Sequence, residues 1–347
     1  MRVTYLHQYY NSPSMSGSTR SHNIAKKMVS RGLEVNIFTS FRASNPSWKG
    51  WRVTEEDGIK VHWYAVRYSN NMNYISRIWA FLVFALVSSI RVCQFKSDIV
   101  FATSTPLTIC LPGIIASKYW AVPMVFEVRD LWPEVPIAIG AIKGPLAILL
   151  AKGLERIAYK NSSAIIALSP TMKAGVVSAG YSESRVAVIP NFSDISKLES
   201  IKPSFKSLNL DVNLTSGPTL LYSGTLGKVN GVGYLVDVAS ELRKIKSNVK
   251  VIIVGSGAEE DKIKFLAERS EVLNKNLFIC AAVSKTESFE LLRKSTMASN
   301  LVIDIPELAG NSANKFFDAL AAKKPVFLNH SSWLEKIVFA REFGITA

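Results

Sequence analysis

Residues 311–325 read NSANKFFDALAAKKP. A polar, turn-prone run (Gly310, Asn311, Ser312, Asn314) follows the apolar, strand-like run Leu301–Ile305. It leads into Phe316, Phe317, Leu320 and Ala321, which recur at helical spacing. Asn314 stands where an N-cap is expected. The N–H groups of Lys315 and its neighbours would then point out of the sheet edge. Unpaired N–H groups and the positive dipole end suit a phosphate there, and Lys315 adds a full charge. Asp318, one turn in, can accept two hydroxyl protons from a ribose or a sugar. The same residues also suit a capped surface helix whose Asp favours its own dipole.

Working outward, 347 residues are long for one domain and comfortable for two. The three cysteines (Cys93, Cys110, Cys280) lie far apart in apolar runs. They fit neither a disulfide framework nor a metal site, and a reducing cytoplasm is expected. The four histidines lack ligand spacing, so no metal is expected. No leader precedes the first strand, so no signal peptide is expected. The net charge of +14 divides unevenly, +10 over residues 1–200 and +4 over residues 201–347. A basic half suits an anionic membrane or substrate. No zinc finger, aromatic RNA-binding strand or basic helix supports nucleic acid as a partner.

The first half reads as alternating strands and helices: strand Val3–Tyr10, loop Asn11–Thr19, helix Arg20–Ser30, strand Glu34–Ser40, connection Phe41–Gly58 and strand Ile59–Val66. That opening predicts a doubly wound α/β sheet. Gly17 would let backbone approach a ligand at the strand's carboxyl end, although a plain solvent loop reads the same way. Strand Pro123–Asp130 runs into Leu131-Trp132-Pro133-Glu134. The polar group Arg129, Asp130 and Glu134 thus falls at a strand's carboxyl end, where open α/β sheets bind ligands; a local Arg–Asp ion pair is the other reading. Polar residues 193–217 look like a linker between domains 1–192 and 218–347.

The second half starts with strand Thr219–Ser223 and the turn Gly224-Thr-Leu-Gly227-Lys228 before an expected helix Val229–Lys246. A glycine-rich turn between strand and helix again suits a phosphate. Gly255-Ser256-Gly257 lacks the third glycine of a dinucleotide fingerprint, because residue 260 is Glu. Strand Asn276–Cys280, helix Lys285–Lys294, strand Leu301–Ile305 and strand Pro325–Asn329 complete the pattern.

These stretches together resemble retaining glycosyltransferases of family 4, which have the GT-B fold. In that family a Lys precedes a helix carrying an acidic residue, followed by Ala-x-x-Lys/Arg-Pro-Val. Lys315, Asp318, Lys324, Pro325 and Val326 match, with Asp in place of the usual Glu. Gly310 stands where the family has a first Glu, and Glu307 is three residues off that register. Arg129 stands at a usual His, Thr225 at a usual Arg and Asn230 at a usual Lys. Asp130-Leu-Trp-Pro-Glu134 resembles a branch that assembles bacterial polysaccharides. Family members continue for several dozen residues past Ala347, so the chain is expected to be C-terminally truncated.

The resemblance implies an α/β protein of two Rossmann-like domains facing across a cleft. A nucleotide sugar, expected to be UDP-linked, would bind the second domain, with transfer retaining the anomeric configuration. Lys228, Lys315 and helix N-termini would do a metal's work on the departing diphosphate. Asp318 would orient the ribose, Gly224 would admit the phosphates and Val283 would lie by the base. Arg129, Asp130, Glu134 and Gly17 would line the reacting sugar or the acceptor. A UDP-sugar 2-epimerase of the same fold and a catalytically dead, membrane-surface nucleotide-sugar-binding protein are the alternatives.

The acceptor is expected to be a lipid-linked glycan of O-antigen, capsule or exopolysaccharide synthesis. Its support is Ile75–Cys93, the most apolar part of the chain. The thirteen residues Ile78–Ile90 carry no charge between Arg77 and Arg91, and a helix of about 20 Å falls short of a bilayer's ~30 Å. A buried core helix is one reading. The other dips into an anionic membrane surface through Trp79, Phe81 and Phe84, peripheral on the inner face of the cell membrane.

Overall fold

A computed structural model describes residues 1–15, 17–42, 48–68, 72–193, 195 and 217–347. Most of the expected linker, residues 193–217, lies outside them. The chain divides into two compact units, Met1–Ser12 with Ser18–Pro190, and Asn191–Ala347 with Pro13–Gly17.

The first unit holds strands β1 (Arg2–Leu6), β2 (Glu34–Phe41), β3 (Trp51–Glu56), β4 (Ile59–Ala65), β5 (Ile99–Thr103), β6 (Met124–Val128), β7 (Ala164–Ala167) and β8 (Val186–Val188). Their order is β3-β4-β2-β1-β5-β6-β7-β8, with only β3–β4 antiparallel. Strands β1, β5 and β6 are almost wholly buried apolar runs, as strands covered on both faces must be. Helices α1 (Arg20–Val29), α2 (Tyr74–Val92), α3 (Cys110–Trp120), α4 (Glu134–Ala138), α5 (Pro145–Lys160) and α6 (Pro170–Ser178) connect them. Winding reverses between β1 and β5, which puts a ligand crevice at their carboxyl ends.

The second unit repeats the plan. Strands β9 (Thr219–Ser223), β10 (Lys250–Val254), β11 (Leu277–Cys280), β12 (Met297–Asn300), β13 (Val326–Leu328) and β14 (Gly344–Thr346) form an all-parallel sheet ordered β11-β10-β9-β12-β13-β14. Helices α7 (Tyr234–Lys244), α8 (Glu260–Arg269), α9 (Lys285–Lys294), α10 (Asn314–Ala321) and α11 (Trp333–Arg341) cover it. Separate apolar clusters fill the two faces of this sheet. Its reversal lies between β9 and β12.

Three expectations change. The connection Phe41–Gly58 contains β3, an edge strand joined to β4 through Asp57-Gly58, both at positive φ as a tight hairpin turn requires. The strand expected at Leu301–Ile305 is instead β12, Met-Ala-Ser-Asn, four residues earlier. A central strand has room for small residues, and Ser299 Oγ donates to the Leu221 carbonyl at 3.2 Å. Leu301 and Val302 are buried beyond the strand, where the Asn329 side chain satisfies both the N–H and the carbonyl of Val302.

The third change concerns α2. Asn73 caps it by accepting the Ser76 N–H at 2.8 Å. Its 18-residue window Ile75–Val92, with mean hydropathy 1.7, is long and apolar enough to cross a bilayer by length and composition, unlike the thirteen-residue count. Yet Phe81, Phe84, Ala85 and Val92 are buried, and the helix packs on α3 and β2. Phe81 and Phe84 therefore point into the unit. Ile75, Ile78, Trp79, Leu82, Leu86 and Ile90 are exposed.

One buried ion pair organises the first unit. Arg20, at the start of α1, and Glu127, on β6, both have side chains with 0% exposure and meet at 2.8 Å. Arg20 also donates to the carbonyls of Pro190 and Ile189 at 2.7 and 3.0 Å. Thr103 donates to the other Glu127 oxygen at 3.2 Å. Replacing Arg20 with Met should destabilise the unit by about 3–5 kcal/mol, because Glu127 is left charged and unpaired. The variant R20M/E127Q should lose less than the two single variants combined, read by urea unfolding in a double-mutant cycle. Strict additivity would show that the two side chains do not act as a pair.

Candidate functional site

In the second unit the sheet reversal carries a dense polar arrangement. The loops after β9 and β10 are joined by backbone: Gly224 N–H donates to the Val254 carbonyl at 3.0 Å, and Leu226 N–H to the Ser256 carbonyl at 2.9 Å. A Cβ on Gly255 would fall 1.9 Å from the Gly224 oxygen, and one on Gly257 2.5 Å from the Leu226 oxygen. Those glycines serve loop-to-loop contact.

Lys315, in the first turn of α10, reaches this loop. Its Nζ donates to the Tyr222 hydroxyl at 3.0 Å and to Asn230 Oδ1 at 3.4 Å, and lies 4.3 Å from the Tyr222 ring centroid. Among the described residues no carboxylate lies within ion-pair distance of it. The side chain is half-buried and its head enclosed, and this desolvation pushes the ammonium pKa down to about 7. An enclosed cation with only neutral partners is a place for an anion. Gly224 is close by: a Cβ there would sit 3.5 Å from Lys315 Nζ.

The helix start differs in one detail from the expected one. Ala313, not Asn314, is the N-cap, and no side chain caps the helix. Asn314 is the first helical residue, so the first-turn N–H groups lack a side-chain acceptor. Asp318 is buried, with Oδ1 accepting from Ser193 Oγ at 2.8 Å and Oδ2 paired with Lys285. Lys285 opens α9 behind a Ser284–Glu287 capping box. Val283 is half-buried just before that cap. Lys228 is exposed and opens a short 3-10 turn ending at Asn230. The structure thus gathers Gly224, Asn230 and Lys315 at one place, and couples Asp318 to Ser193 and Lys285, two residues the sequence reading misses. Lys285 was accessible in principle, as a basic residue directly after a capping serine.

The first unit has its own cluster at the β1/β5 reversal. Arg129, just past β6, donates to His7 Nε2 at 3.3 Å and to Ser18 Oγ at 3.2 Å. His7 Nδ1 lies 2.8 Å from Ser21 Oγ. With Nε2 accepting from Arg129, the hydrogen-bond network assigns the ring proton to Nδ1, donated to Ser21. Burial, then the charges of Arg129 and Arg42, hold the His7 pKa well below its usual value, so the ring is neutral. Asp130 accepts from Thr105 Oγ1 at 3.0 Å. Burial raises its carboxyl pKa against the opposing pull of Arg129. Gly17, which belongs to the second unit and not to this cluster, has φ 114°, a conformation that favours glycine.

Glu134 stands apart from this cluster. It opens α4, and its Oε2 is enclosed without a hydrogen-bond partner. Its charge acts on Glu155 of α5, whose carboxyl burial and that charge push up to about 7. Among the described residues no hydrogen bond or ion pair joins Arg129, Asp130 and Glu134 to one another; Arg129 acts on Asp130 through its charge alone. Arg129 donates instead to His7, the first residue past β1, a position visible in sequence as the first polar group after an apolar strand. Among the described residues no group of three or more His, Cys, Asp or Glu could hold a metal ion.

Comparison with known proteins gives a consistent picture. A family model described as a glycosyl transferase 4-like domain matches residues 17–191, and one described as glycosyl transferases group 1 matches residues 211–341. The colanic acid biosynthesis glycosyl transferase WcaI of Escherichia coli (strain K12) is 21% identical over 284 residues, covering 77% of this chain and 69% of that protein. The crystal structure of Anabaena Alr3699/HepE with UDP and glucose superposes with TM-score 0.67 at 17% identity, covering 99% of this chain and 85% of that one. WaaG, a glycosyltransferase involved in lipopolysaccharide biosynthesis, superposes with TM-score 0.67 at 16% identity, again over 99% and 85%. The fold in common is GT-B.

The Lys315 environment predicts a pH signature. Its folded pKa, about 7, lies below its ordinary 10.5. Between those values the unfolded chain holds a proton that the folded chain has released, so this group makes stability rise with pH across that window. Lys315→Met removes that slope. The variant's stability relative to wild type should fall by about 2 kcal/mol between about pH 6.5 and pH 9, read by urea unfolding at both. A difference independent of pH would mean that the ammonium is not desolvated.

Proposed function

This chain belongs to the glycosyl transferase 4-like family, with a group 1 domain following, and on that premise we propose that it moves a sugar from a UDP-sugar to a lipid-linked glycan, with retention at the anomeric carbon. The observation that carries the donor half is Lys315: an enclosed ammonium without an acidic partner, beside the Gly224 loop and an uncapped helix start. In this reading Lys315, Lys228 and the loop N–H groups stabilise the departing diphosphate electrostatically, the work a metal does elsewhere. Asp318 exchanges its contacts with Ser193 and Lys285 for the ribose hydroxyls, and the base lies by Val283. UDP is favoured by the HepE complexes. Surface-polysaccharide synthesis, as O-antigen, capsule or exopolysaccharide, is favoured by the names of WcaI and WaaG. Arg129, Asp130 and Gly17 engage the reacting sugar or the acceptor.

The lipid side of the proposal rests on α2. Its outward face is apolar along its length, with Trp79 68% and Leu86 65% exposed. Neighbouring α3 and α5 add exposed Ile115, Tyr119, Leu146, Leu149 and Leu150. Such a surface on a basic half of the chain suits peripheral binding at the anionic inner face of a cell membrane.

Incubation with labelled UDP-sugar and a polyprenyl-phosphate-linked sugar tests the reaction. Label in the lipid is expected; an epimerised nucleotide would indicate a 2-epimerase, and neither product an inactive binding protein. Asp318→Ala should weaken UDP binding by about 1.5–3 kcal/mol in calorimetry, the scale of hydrogen bonds to a charged group. EDTA should leave wild-type affinity unchanged. Unaltered affinity in a folded D318A variant would remove Asp318 from the donor site.

Wild-type chain should float with anionic vesicles, more weakly at high salt because only the electrostatic part is screened. The variant W79S/L82S/L86S should lose the salt-resistant part while its circular dichroism is unchanged. Absence of flotation by the wild type would sink the membrane reading.

A further inference from the structure

A groove of about 540 Å³ lies where the carboxyl end of β4 meets the first turns of α2. Val66, Arg67, Ile75, Trp79, Ala80 and Val83 line it, and none of its lining residues is acidic. The volume falls in the range of small-molecule sites, roughly 300–1,000 Å³. Two of its walls, Ile75 and Trp79, are also among the most exposed apolar residues of α2, so groove and outward face are one continuous apolar surface. The lining also carries one cation, the exposed Arg67. Nearby on α2, the Arg77 guanidinium lies 5.6 Å from the centre of the Tyr68 ring. Tyr68 stacks in turn near Tyr9 and Phe81.

We propose that this groove holds the hydrocarbon chain nearest the phosphate of the acceptor lipid, with Arg67 facing the phosphate. The inference rests on the lipid-linked acceptor reading above. Three features select this occupant over an apolar side chain of a protein partner. The groove opens onto the face that meets the bilayer, so a chain can enter without crossing water. Its lining is apolar apart from Ser76 and the Arg67 guanidinium, which matches a molecule that is apolar over most of its length and anionic at one end. No carboxylate in the lining opposes that anion. A chain seated here would leave its phosphate and sugar on the carboxyl-end side of the sheet, where β4, β2 and β1 end together.

Farnesyl phosphate, three isoprene units long, and dimethylallyl phosphate, one unit long, provide the test below their aggregation limits. Each CH₂ that leaves water adds about fourfold in affinity, so farnesyl phosphate should bind wild type at least about tenfold tighter than dimethylallyl phosphate. Val83→Trp and Ser76→Phe both fill the groove and should remove that preference, while weak binding of dimethylallyl phosphate persists. Leu86→Ser, on the outward face beyond the groove, should keep it. Circular dichroism identifies any variant that fails to fold, and two different fillings guard against one doing so. Equal affinity for the two phosphates, a folded Val83→Trp or Ser76→Phe with wild-type preference, or equal loss in Leu86→Ser would overturn the proposal. So would oleate binding as tightly as farnesyl phosphate, which would mark a general fatty-chain cavity. The two readings fail separately. Lipid labelling from the UDP-sugar with groove-filling variants fully active would remove the groove alone. Farnesyl preference lost on groove filling, with no lipid labelling in wild type, would remove the transfer reaction alone.

Discussion

The fold of the first unit turns on a charge that cannot reach water. Glu127 sits, fully buried, on an interior strand of an eight-stranded sheet, where an isolated carboxylate would be prohibitively costly. Arg20 neutralises it, and being planar with five donors it has three further hydrogens to place. Two go to the carbonyls of Ile189 and Pro190. The start of α1, the interior strand β6 and the segment leaving β8 are therefore joined by one guanidinium. Ser18, two residues before this anchor, meets Arg129. A buried pair of this kind contributes little net stability compared with apolar residues of the same shape, but it tolerates only one arrangement of the elements it joins.

The second unit makes the opposite choice. Lys315 is enclosed among a tyrosine, an asparagine and glycine backbone, with no acid to neutralise it. Arg20 is a finished interaction; Lys315 is an unfinished one, a desolvated side chain with neutral hydrogen-bond partners. Asp318 lies between these extremes, one turn into the same helix and already paired with Lys285. Both units place these groups at a sheet reversal, because that is where two helices diverge and leave strand ends uncovered.

Much of this was legible in the sequence, and what was not has physical reasons. Alternating strands and helices gave two doubly wound sheets, and Thr219–Ser223 and Lys285–Lys294 fall on their expected residues. Strand β12 was displaced because apolarity marks burial, not strand: Ser299 and Asn300 lie in the strand, and the equally buried Leu301 and Val302 follow it. Strand β3 escaped because an edge strand with an exposed face lacks an apolar run, although Asp57-Gly58 announced the turn. The inward side of α2 could not be assigned, since it is apolar all round and periodicity has nothing to act on. At the site, Lys315 could be picked out from its place before a helix. Its partners Tyr222 and Asn230, and the partner of Asp318, are 93, 85 and 33 residues away, and only the sheet brings them together.

The glycine contact between the loops after β9 and β10 bears on how such a protein can diversify. Where a cradle is built from side chains, each point mutation is an experiment in specificity. Here Gly255 and Gly257 press against carbonyl oxygens, and any side chain would have to displace backbone. The loop shape is inherited as a whole or lost as a whole. Room for variation is left to exposed side chains of the same loop, such as those of Thr225 and Lys228. The rigid part and the variable part of the cradle are thus separated at the level of atoms, and drift in one leaves the other undisturbed.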